Sequence, residues 1–428
     1  MQSYTQSTLV CSALAIVLTG CAGAVSTTTP SVQQSPGGGT VGLSPSGVAL
    51  KIVNNNSAAM PSSGINIYVY GQIPGSAGPT WQYVTAAGST VAMTNNGANI
   101  PPIPFGSGST SQTIYLPPMT SCRIYIVGGT FNFNIPTTAP VGAGPNVPAP
   151  WTNDGSRNLY FDFVEYTWNP PAAMNVDTTQ VDGFNLAMSV TLTGASTSTF
   201  GFLGGAVTQL HNALAGYGGQ WATLNAQWPF RVTNPGHGNQ SGFFTDSTFL
   251  DSAARTAWDA YKTQFMTLDL SGAGFSTYYG QVDANENFNF YTTPNTSGTL
   301  VGTIVSPFSP ANVALWGSPT MQILANSGAF ANVPSGQNAG LVLAIGNRVV
   351  GALNRGTFGT LSQPACGVVQ YPGSAYQNQY ANAVHAIANQ PQYGYGGAYA
   401  FAYDDSCATS TDTSQTSPTA MTIQINPS

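Results

Sequence analysis

Short runs in which apolar and polar residues alternate recur along the first half of the chain. They include "VALKIVNNN", "GINIYVYGQI", "SQTIYLPP", "CRIYIVGGTFNFNI", "RNLYFDFVEYTW" and "GFNLAMSVTLTG", and Asn, Ser, Pro and Gly separate them. Alternation with a period of two is typical of half-buried strands, and the separating residues favour turns. The pattern predicts an all-β sandwich or barrel over residues 47–199.

The hydrophobic pattern changes near residue 200. Apolar spacing in "GFLGGAVTQLHNALAGYGG" predicts a short helix, and "DSTFLDSAARTAWDAYKTQF" predicts a second helix with Asp246 as its N-cap. Strand-like runs follow in "QFMTLDLSG", "STYYGQVD", "FNFYTT" and "TLVGTIV". We therefore expect residues 200–345 to form a mixed α/β domain.

The last part of the chain, residues 346–428, is predicted to contain helices and then closing strands. "AGLVLAIGNRVVGAL" and "YQNQYANAVHAIANQ" have helical spacing, whereas "GGAYAFAYDD" and "AMTIQINP" have β character. If the final strand pairs with the first sheet, the α/β domain is an insertion within the β domain.

The first residues indicate export. "STLVCSALAIVLTGCAGA" contains an apolar run that is too short to span a bilayer and ends in small residues. "LTGC" resembles a bacterial lipobox, which predicts a signal peptide over residues 1–21 and lipidation of Cys21; the alternative is ordinary cleavage after "AGA" at Ala22 to Ala24. Residues 22–46 are predicted to be a disordered linker. We expect a surface lipoprotein or an extracellular protein that contacts the membrane only through this anchor.

The charge composition narrows the class of partner. Only 5% of the residues are charged, the net charge is -6, and the eight basic residues are scattered singly. Nucleic acid is therefore not expected as a partner, because proteins that bind nucleic acid carry a stripe or patch of basic residues. A neutral polysaccharide would suit this composition, and we expect a monomer.

Cysteine spacing gives little support for metal or redox chemistry. Beyond the signal, Cys122, Cys366 and Cys407 remain, and no Cys-x-x-Cys pair occurs. One disulfide is expected; all three pairings stay open, and Cys366–Cys407 is favoured because both residues lie in the C-terminal region.

No cofactor motif stands out elsewhere in the chain. His211, His237 and His385 are far apart in sequence, and neither a G-x-x-x-x-G-K-[ST] loop nor a G-x-S-x-G elbow is present. We therefore expect no cofactor and no metal.

Carboxylates concentrate in one aromatic stretch, "NLYFDFVEYTWNPPAAMNVDTTQVDGFNLAM", which holds four of the fourteen acidic residues. Strand alternation places Glu165 on the same face as Thr167 and Asn169 and turns Asp162 to the opposite face. We expect neighbouring aromatic residues to desolvate Glu165 and to favour the protonated form that a general acid needs.

The partner of Glu165 should come from the next strand. A simple hairpin centred between Ala173 and Met174 places Asp182 opposite Glu165, whereas Asp177 is predicted to lie in the turn with the opposite parity. Two facing carboxylates suit glycosidic bond cleavage. The alternative is that both are ordinary solvated carboxylates at strand ends.

Five motifs occur in the order and approximate spacing of glycoside hydrolase family 64, the thaumatin-like endo-β-1,3-glucanases. They are "FDFVEYTW", "QVDGFNLAM", "RVTNPGHG", "YANAVHAI" and "GYGGAYAFAYDDSC", and "KIVNNN" and "TAMTIQINP" resemble the family's first and last strands. The resemblance covers about residues 48 to 427. "FAYDD" departs from the expected Phe-Pro-Tyr-Asp-Asp, which leaves subsite shape and product pattern open.

The resemblance implies a thaumatin-like β barrel or sandwich with an inserted mixed α/β domain, and a groove between them for β-1,3-glucan. It also implies inverting hydrolysis with Glu165 as general acid and Asp182 as general base. His237 and His385 match family positions, for which we expect packing roles.

The same resemblance assigns residues to the substrate groove. Thr167 and Asn169 match positions that line the groove beside the acid. Asp404 and Asp405 match an acidic pair interpreted as contacting substrate, and their alternative role is to close a turn before the last strand. A thaumatin-like protein that binds glucan without cutting it, and a surface adhesion protein that uses the barrel only as a scaffold, are the competing functions.

Overall fold

The computed structural model describes most of the chain after the predicted linker. The described residues are 47–75, 81–94, 97–133, 135, 145, 147, 149–152, 154–238, 242–359, 370–388, 398–404 and 413–428. Cys21, Cys366, Asp405 and Cys407, and therefore the predictions made for them, lie outside these residues.

Strands predominate among the described residues, with 31% of these residues in strands and 24% in helices. The strands are β1 Val48–Asn54, β2 Ile65–Gln72, β3 Trp81–Val84, β4 Thr90–Ala92, β5 Ile103–Pro104, β6 Ser111–Leu116, β7 Met119–Gly128, β8 Tyr160–Trp168, β9 Met174–Thr178, β10 Gly183–Phe184, β11 Ala187–Thr193, β12 Thr197–Gly201, β13 Val232–Thr233, β14 Met266–Asp269, β15 Thr277–Val282, β16 Phe288–Tyr291, β17 Leu300–Ile304, β18 Thr413–Gln415 and β19 Ala420–Asn426.

Two sheets of the described chain share one apolar core. One sheet has the order β12-β11-β19-β1-β6, and the other has the order β18-β9-β8-β7-β2-β3-β4, with β5 beside β2. The predicted alternation is confirmed in β1, where Leu50 and Ile52 are fully buried and Lys51 is exposed. Val164 and Tyr166 of β8 enter the same core from the second sheet. These residues make the β domain a sandwich.

The outer face of the second sheet carries a separate aromatic cluster. Tyr125 stacks on Phe163 with ring centroids 4.8 Å apart, and Phe131 packs against the edge of Phe161 at 4.4 Å. Phe161 and Phe163 have the same parity as Glu165 on β8. The proposed acid therefore emerges on the aromatic face, as the alternation predicted.

Helices are concentrated between β12 and β18. They are α1 Ala206–Tyr217, α2 Gly219–Thr223, α3 Asp251–Asp259, α4 Pro310–Trp316, α5 Pro319–Leu324, α6 Ala339–Asn354 and α7 Gln379–Ala388. Helix α6 begins after Asn338, whose side chain accepts a hydrogen bond from Leu341 N at 3.1 Å. None of the described helices is long and apolar enough to cross a membrane.

The predicted N-cap at Asp246 is wrong. Asp246 accepts hydrogen bonds from the backbone and side chain of Thr248 and so closes a turn, and helix α3 starts five residues later at Asp251. An Asx turn offers the chain a local alternative to a helical cap, which explains why the residue type was misleading.

A second core lies under an antiparallel sheet of order β14-β15-β16-β17. The fully buried Trp258 of α3 packs edge-on against Phe288 at 5.2 Å, and Ile345 and Val349 of α6 belong to the same cluster. The strand and helix pattern predicted for residues 200–345 is thus observed. The expected boundaries at 199/200 and 345/346 fall inside β12 and α6, and the division into domains stays a prediction.

The last strand pairs with the first sheet, as expected. Strand β19 lies between β1, to which it is parallel, and β11, to which it is antiparallel. The segment "GGAYAFAYDD", which was predicted to have β character, forms no named strand among its described residues. Tyr399 makes an isolated bridge with Thr179, and the chain turns at Phe401.

Candidate active site

Glu165 lies in the middle of β8, between a cation and a carboxylate on the neighbouring strands. It pairs with Arg123 of β7 on one side and with Asp177 of β9 on the other. The predicted hairpin register was therefore wrong, because Ala172 N bonds to Asn169 O at 3.0 Å and closes the turn early. Asp177 consequently lies in a strand and not in the turn.

Asp182 reaches the same face although it is not directly opposite Glu165. It precedes the short strand β10, whose Gly183 pairs with Thr233 of β13. A Cβ on Gly183 would lie 2.9 Å from the carbonyl oxygen of Val232, so glycine permits this close approach. The pairing of Gly183 with Thr233 thus fixes the backbone directly after Asp182, four residues beyond the end of β9.

Arg123 connects the two proposed catalytic carboxylates. Its Nε donates to Glu165 Oε1 at 2.8 Å, and its Nη1 lies 3.6 Å from Asp182 Oδ2. The guanidinium group also stacks over the Phe163 ring at 4.3 Å and donates to Tyr125 Oη at 3.2 Å. Sequence reasoning missed Arg123, although a lone arginine in the apolar run "CRIYIV" could have been noted as a partner for a carboxylate.

His237 contacts Asp182 from the other side. Its Nε2 lies 3.0 Å from Asp182 Oδ1, and its ring stacks on Trp151 with centroids 3.6 Å apart and planes 8° apart. The packing role expected for His237 is incomplete, because the ring is also a hydrogen-bond partner of the proposed base. The match to "NPGHG" indicated the position but not this contact.

The charge state of Asp182 follows from these partners. Burial alone raises the pKa of Asp182, but the hydrogen bond and charge of His237, together with the charge of Arg123, lower it more. The net pKa lies below the ordinary value of 3.8. Asp182 is therefore a carboxylate over most of the pH range, as a general base must be.

Glu165 is less desolvated than expected. Its side chain is 32% exposed, and its Oε1 is bonded to Arg123. Thr167 is exposed further along the same face, and its Oγ1 accepts a hydrogen bond from Ser121 N at 3.3 Å. Asn169 is exposed in the turn that follows β8.

A small cavity lies behind Asp182. Asp162, Asn185, Arg231 and Gly183 contribute to its lining. Burial raises the pKa of Asp162 to about 7 despite hydrogen bonds from Asn185 N and Leu186 N, and burial lowers the pKa of Arg231 to about 9. Asp162 is thus buried and turned away from Glu165, as the parity predicted.

Asp404 does not line a groove. Its side chain is fully buried, with Oδ1 3.1 Å from Arg355 Nη2 and Oδ2 2.7 Å from His385 Nε2. The expected sugar contact is therefore wrong for Asp404, because its carboxylate is fully buried between the Arg355 guanidinium and the His385 ring and has no access to a ligand. His385 is buried, and it is also bonded to Asp404.

Metal-binding and disulfide chemistry find little support in the described residues. Within them, no group of three or more His, Cys, Asp or Glu side chains could hold a metal ion. Cys122 is a buried free thiol, and burial raises its pKa. Cys366 and Cys407 lie outside the described residues, so the disulfide expected between them stays a prediction.

Comparisons with known proteins agree on one family. The family model described as Beta-1,3-glucanase, of glycoside hydrolase family 64, matches residues 46–425. Two curated proteins named glucan endo-1,3-beta-glucosidase, from Cellulosimicrobium cellulans and Arthrobacter sp. (strain YCWD3), are each 27% identical over 328 and 326 residues respectively. The match covers 74% of this chain and 54% of each relative, so the chain spans about half the length of the curated relatives it matches.

Solved structures show the same fold. A laminaripentaose-producing beta-1,3-glucanase in complex with laminaritetraose has a TM-score of 0.72 at 23% identity, over 90% of this chain and 99% of that chain. A beta-1,3-glucanase domain from Clostridium beijerinckii has a TM-score of 0.66 at 20% identity, over 89% and 98%. Since the family model extends over nearly all of the sandwich and the helical segments, the chain belongs to glycoside hydrolase family 64.

Proposed function

We propose that this protein is an endo-β-1,3-glucanase that hydrolyses β-1,3-glucan with inversion, with Glu165 as general acid and Asp182 as general base. The observation that carries the proposal is the contact of Arg123 with both carboxylates on an aromatic face. Membership of a family described as Beta-1,3-glucanase supports the reaction class. The laminaritetraose bound to a structural relative supports the choice of substrate.

The separation of the two carboxylates is compatible with this mechanism. One planar guanidinium contacts both groups, so their nearest oxygen atoms are no more than about 9 Å apart. Inverting glycosidases hold their two carboxyl groups about 6.5 to 9.5 Å apart, which leaves room for a water molecule. In the proposed step Asp182 accepts a proton from this water, whose oxygen attacks the anomeric carbon. Glu165 donates its proton to the leaving glycosidic oxygen as the bond breaks.

Glu165 can act as an acid while it contacts Arg123. The contact uses only Oε1. A proton on Oε2 can therefore be directed toward the sugar while Oε1 continues to accept from Arg123 Nε. Thr167 and Asn169 are proposed to bind sugar hydroxyl groups next to the acid, because both are exposed and follow Glu165 by two and four residues.

Asp177 is the alternative partner of Glu165, and a specific observation favours it. The two residues are direct cross-strand neighbours. Such neighbours have Cβ atoms about 4.5 to 5.5 Å apart, which suits the shorter carboxyl separation of a retaining enzyme. Asp177 would then be the nucleophile, and the released sugar would keep its β configuration.

The test is hydrolysis of laminarin and curdlan followed by proton NMR of the first products. Release of the α anomer, abolished by Asp182→Asn and retained in Asp177→Asn, is the expected result. Early β anomer with loss of activity in Asp177→Asn would assign the retaining route to Asp177. No reducing sugar from either glucan would favour the non-catalytic glucan-binding protein, for which curdlan pull-down is the measurement.

We also propose that the thaumatin-like sandwich works as a monomer outside the cytoplasm. The lipobox-like "LTGC" and the Ser-, Thr- and Pro-rich segment after it support attachment through a lipid on Cys21. Replacing Cys21 by Ser should release the protein from membranes. Recovery of wild-type protein as a soluble form cleaved after Ala24 would instead favour ordinary secretion.

A further inference from the structure

We propose that Asn234 is a positioning residue that holds Asp182 and His237 in register with each other. This inference rests on the proposed role of Asp182 as general base. Asn234 is 2% exposed and cannot contact the glucan itself. It acts through the two residues that flank it in space.

Asn234 contacts the segments of both partners. Its backbone N–H donates to the carbonyl oxygen of Asp182 at 3.4 Å. Its side-chain Oδ1 accepts from Gly236 N at 2.8 Å and thereby starts the 3₁₀ turn Pro235–His237. A single residue therefore fixes the backbone of the base and the turn that carries the histidine.

The side-chain amide of Asn234 ties both segments to a third. Its Nδ2 donates to Gln180 O at 3.1 Å and to Ala400 O at 2.8 Å. Tyr380 Oη donates to the same Gln180 oxygen at 2.8 Å. Residues 180–182, 234–237 and 398–404 thus meet at one buried amide whose donors and acceptor are all used.

This arrangement matters because the contact it controls is short and directional. The 3.0 Å contact between His237 Nε2 and Asp182 Oδ1 would be lost if either segment moved by about 1 Å. A misplacement of about 1 Å in a catalytic group can reduce the rate about 100-fold. Asn234 is therefore expected to affect the rate of the chemical step more than substrate binding.

The charged groups around Asp182 determine what a shift would do to its titration. Arg123 and His237 contact its two oxygens, and Glu165 lies on the far side of Arg123. Asp162 and Arg231 face it across the small cavity. Moving His237 away removes the hydrogen bond that most favours the charged form, so Asp182 would protonate at a higher pH.

Asn54 provides a matched control. It is 6% exposed, its Oδ1 accepts from Asn56 N at 2.9 Å, and its Nδ2 donates to Met60 O at 2.8 Å. Asn54 therefore has a buried amide that both accepts from and donates to the backbone, but it lies in β1 of the first sheet. Substitutions at Asn54 test what the loss of a buried amide does to the fold alone.

The experiment compares Asn234→Ala and Asn234→Thr with Asn54→Ala and Asn54→Thr in the full chain. Thermal unfolding, kcat and KM on laminarin, and the acidic limb of the kcat/KM pH profile are measured for each. Asn234→Ala should lower kcat about 10- to 100-fold, change KM less than about threefold, and move the acidic limb to higher pH. Asn234→Thr can still cap the turn but loses the Nδ2 donors, so an intermediate kcat is expected.

The outcomes separate this inference from the proposed function. Asn234 variants that lose only thermal stability, as the Asn54 variants do, with kcat and the acidic limb unchanged, would overturn the positioning role. If Asn234→Ala does not fold, the same comparison is decided by Asn234→Thr. An active Asp182→Asn enzyme would instead remove Asp182 as the base, whatever Asn234 does.

Discussion

Arg123 and Glu165 are paired across β7 and β8, and Arg123 Nε donates to Glu165 Oε1 at 2.8 Å. The same guanidinium group reaches Asp182 and stacks on Phe163. A planar cation between two carboxylates reduces their repulsion and fixes their relative orientation. The relative position of the proposed acid and base therefore depends on Arg123, which is itself neither the acid nor the base.

Replacing Glu165 by Gln should lower kcat on laminarin by about 10² to 10⁴, because the amide cannot donate a proton to the leaving oxygen. Binding to insoluble curdlan should persist. Glu286→Gln is the matched control, since Glu286 is the other glutamate of the chain and pairs with Arg255 on the surface of the second core. Near-normal turnover in Glu165→Gln would show that another residue is the acid.

Arg123→Lys should reduce kcat by about 10- to 100-fold, because an ammonium group is a point charge that cannot span both carboxylates. Arg255→Lys is a close control. Arg255 also contacts two carboxylates, Asp259 and Glu286, but on the surface of the second core. The measurement is kcat on laminarin for both variants. The same kcat in Arg123→Lys as in Arg255→Lys would contradict a role for Arg123 in orienting the two carboxylates.

Replacing His237 by Ala should move the acidic limb of kcat/KM to higher pH. His237 lowers the pKa of Asp182, so without it the carboxylate gains its proton, and stops acting as a base, at a higher pH. His211→Ala is the matched control, because His211 also packs against a tryptophan, Trp228, at 4.1 Å. If the acidic limb of kcat/KM stays at the same pH in His237→Ala, the titration of Asp182 does not determine that limb.

Asp404→Asn should destabilise the protein without weakening substrate binding. Removing the charge leaves Arg355 buried without its ionic partner, and breaking a buried pair in this way costs about 3 to 5 kcal/mol of unfolding free energy. Urea unfolding gives the free energy and curdlan pull-down gives binding. A variant of wild-type stability with a KM more than about tenfold higher would restore the groove role.

Asp162 should make stability fall as the pH rises toward neutrality. Its folded pKa of about 7 exceeds the ordinary 3.8, so its stabilising contribution is complete below pH 3.8 and is lost as the pH passes 7. The full effect is roughly 4 kcal/mol. Urea unfolding at pH 5 and pH 8 should therefore show a smaller difference for Asp162→Asn than for wild type. Equal differences would contradict the burial of an uncharged Asp162.

The sequence alone determined which side chains of each strand point the same way. The period-two pattern of "FDFVEYTW" placed Glu165 with Phe161 and Phe163 and turned Asp162 inward, and the folded chain has the same division. This was predictable because burial on one face leaves its record in every second residue. The helices α1, α6 and α7 were predicted in the same way, from the spacing of their apolar residues. The place of β19 in the first sheet was expected from the resemblance of "TAMTIQINP" to the family's last strand.

The tertiary structure decided which residues meet. The register of β8 with β9 depended on where a Pro-containing turn closed, which parity cannot specify, so Asp177 and not Asp182 lies opposite Glu165. Arg123 and His237 are 42 and 55 residues away from the carboxylates they contact, and no local pattern couples such positions. Asp404 became a buried ion-pair partner because Arg355 and His385 approach it from two helical segments. Hydrophobic periodicity records only whether a residue is inside or outside, whereas hydrogen-bond and charge partners are set by how distant segments pack.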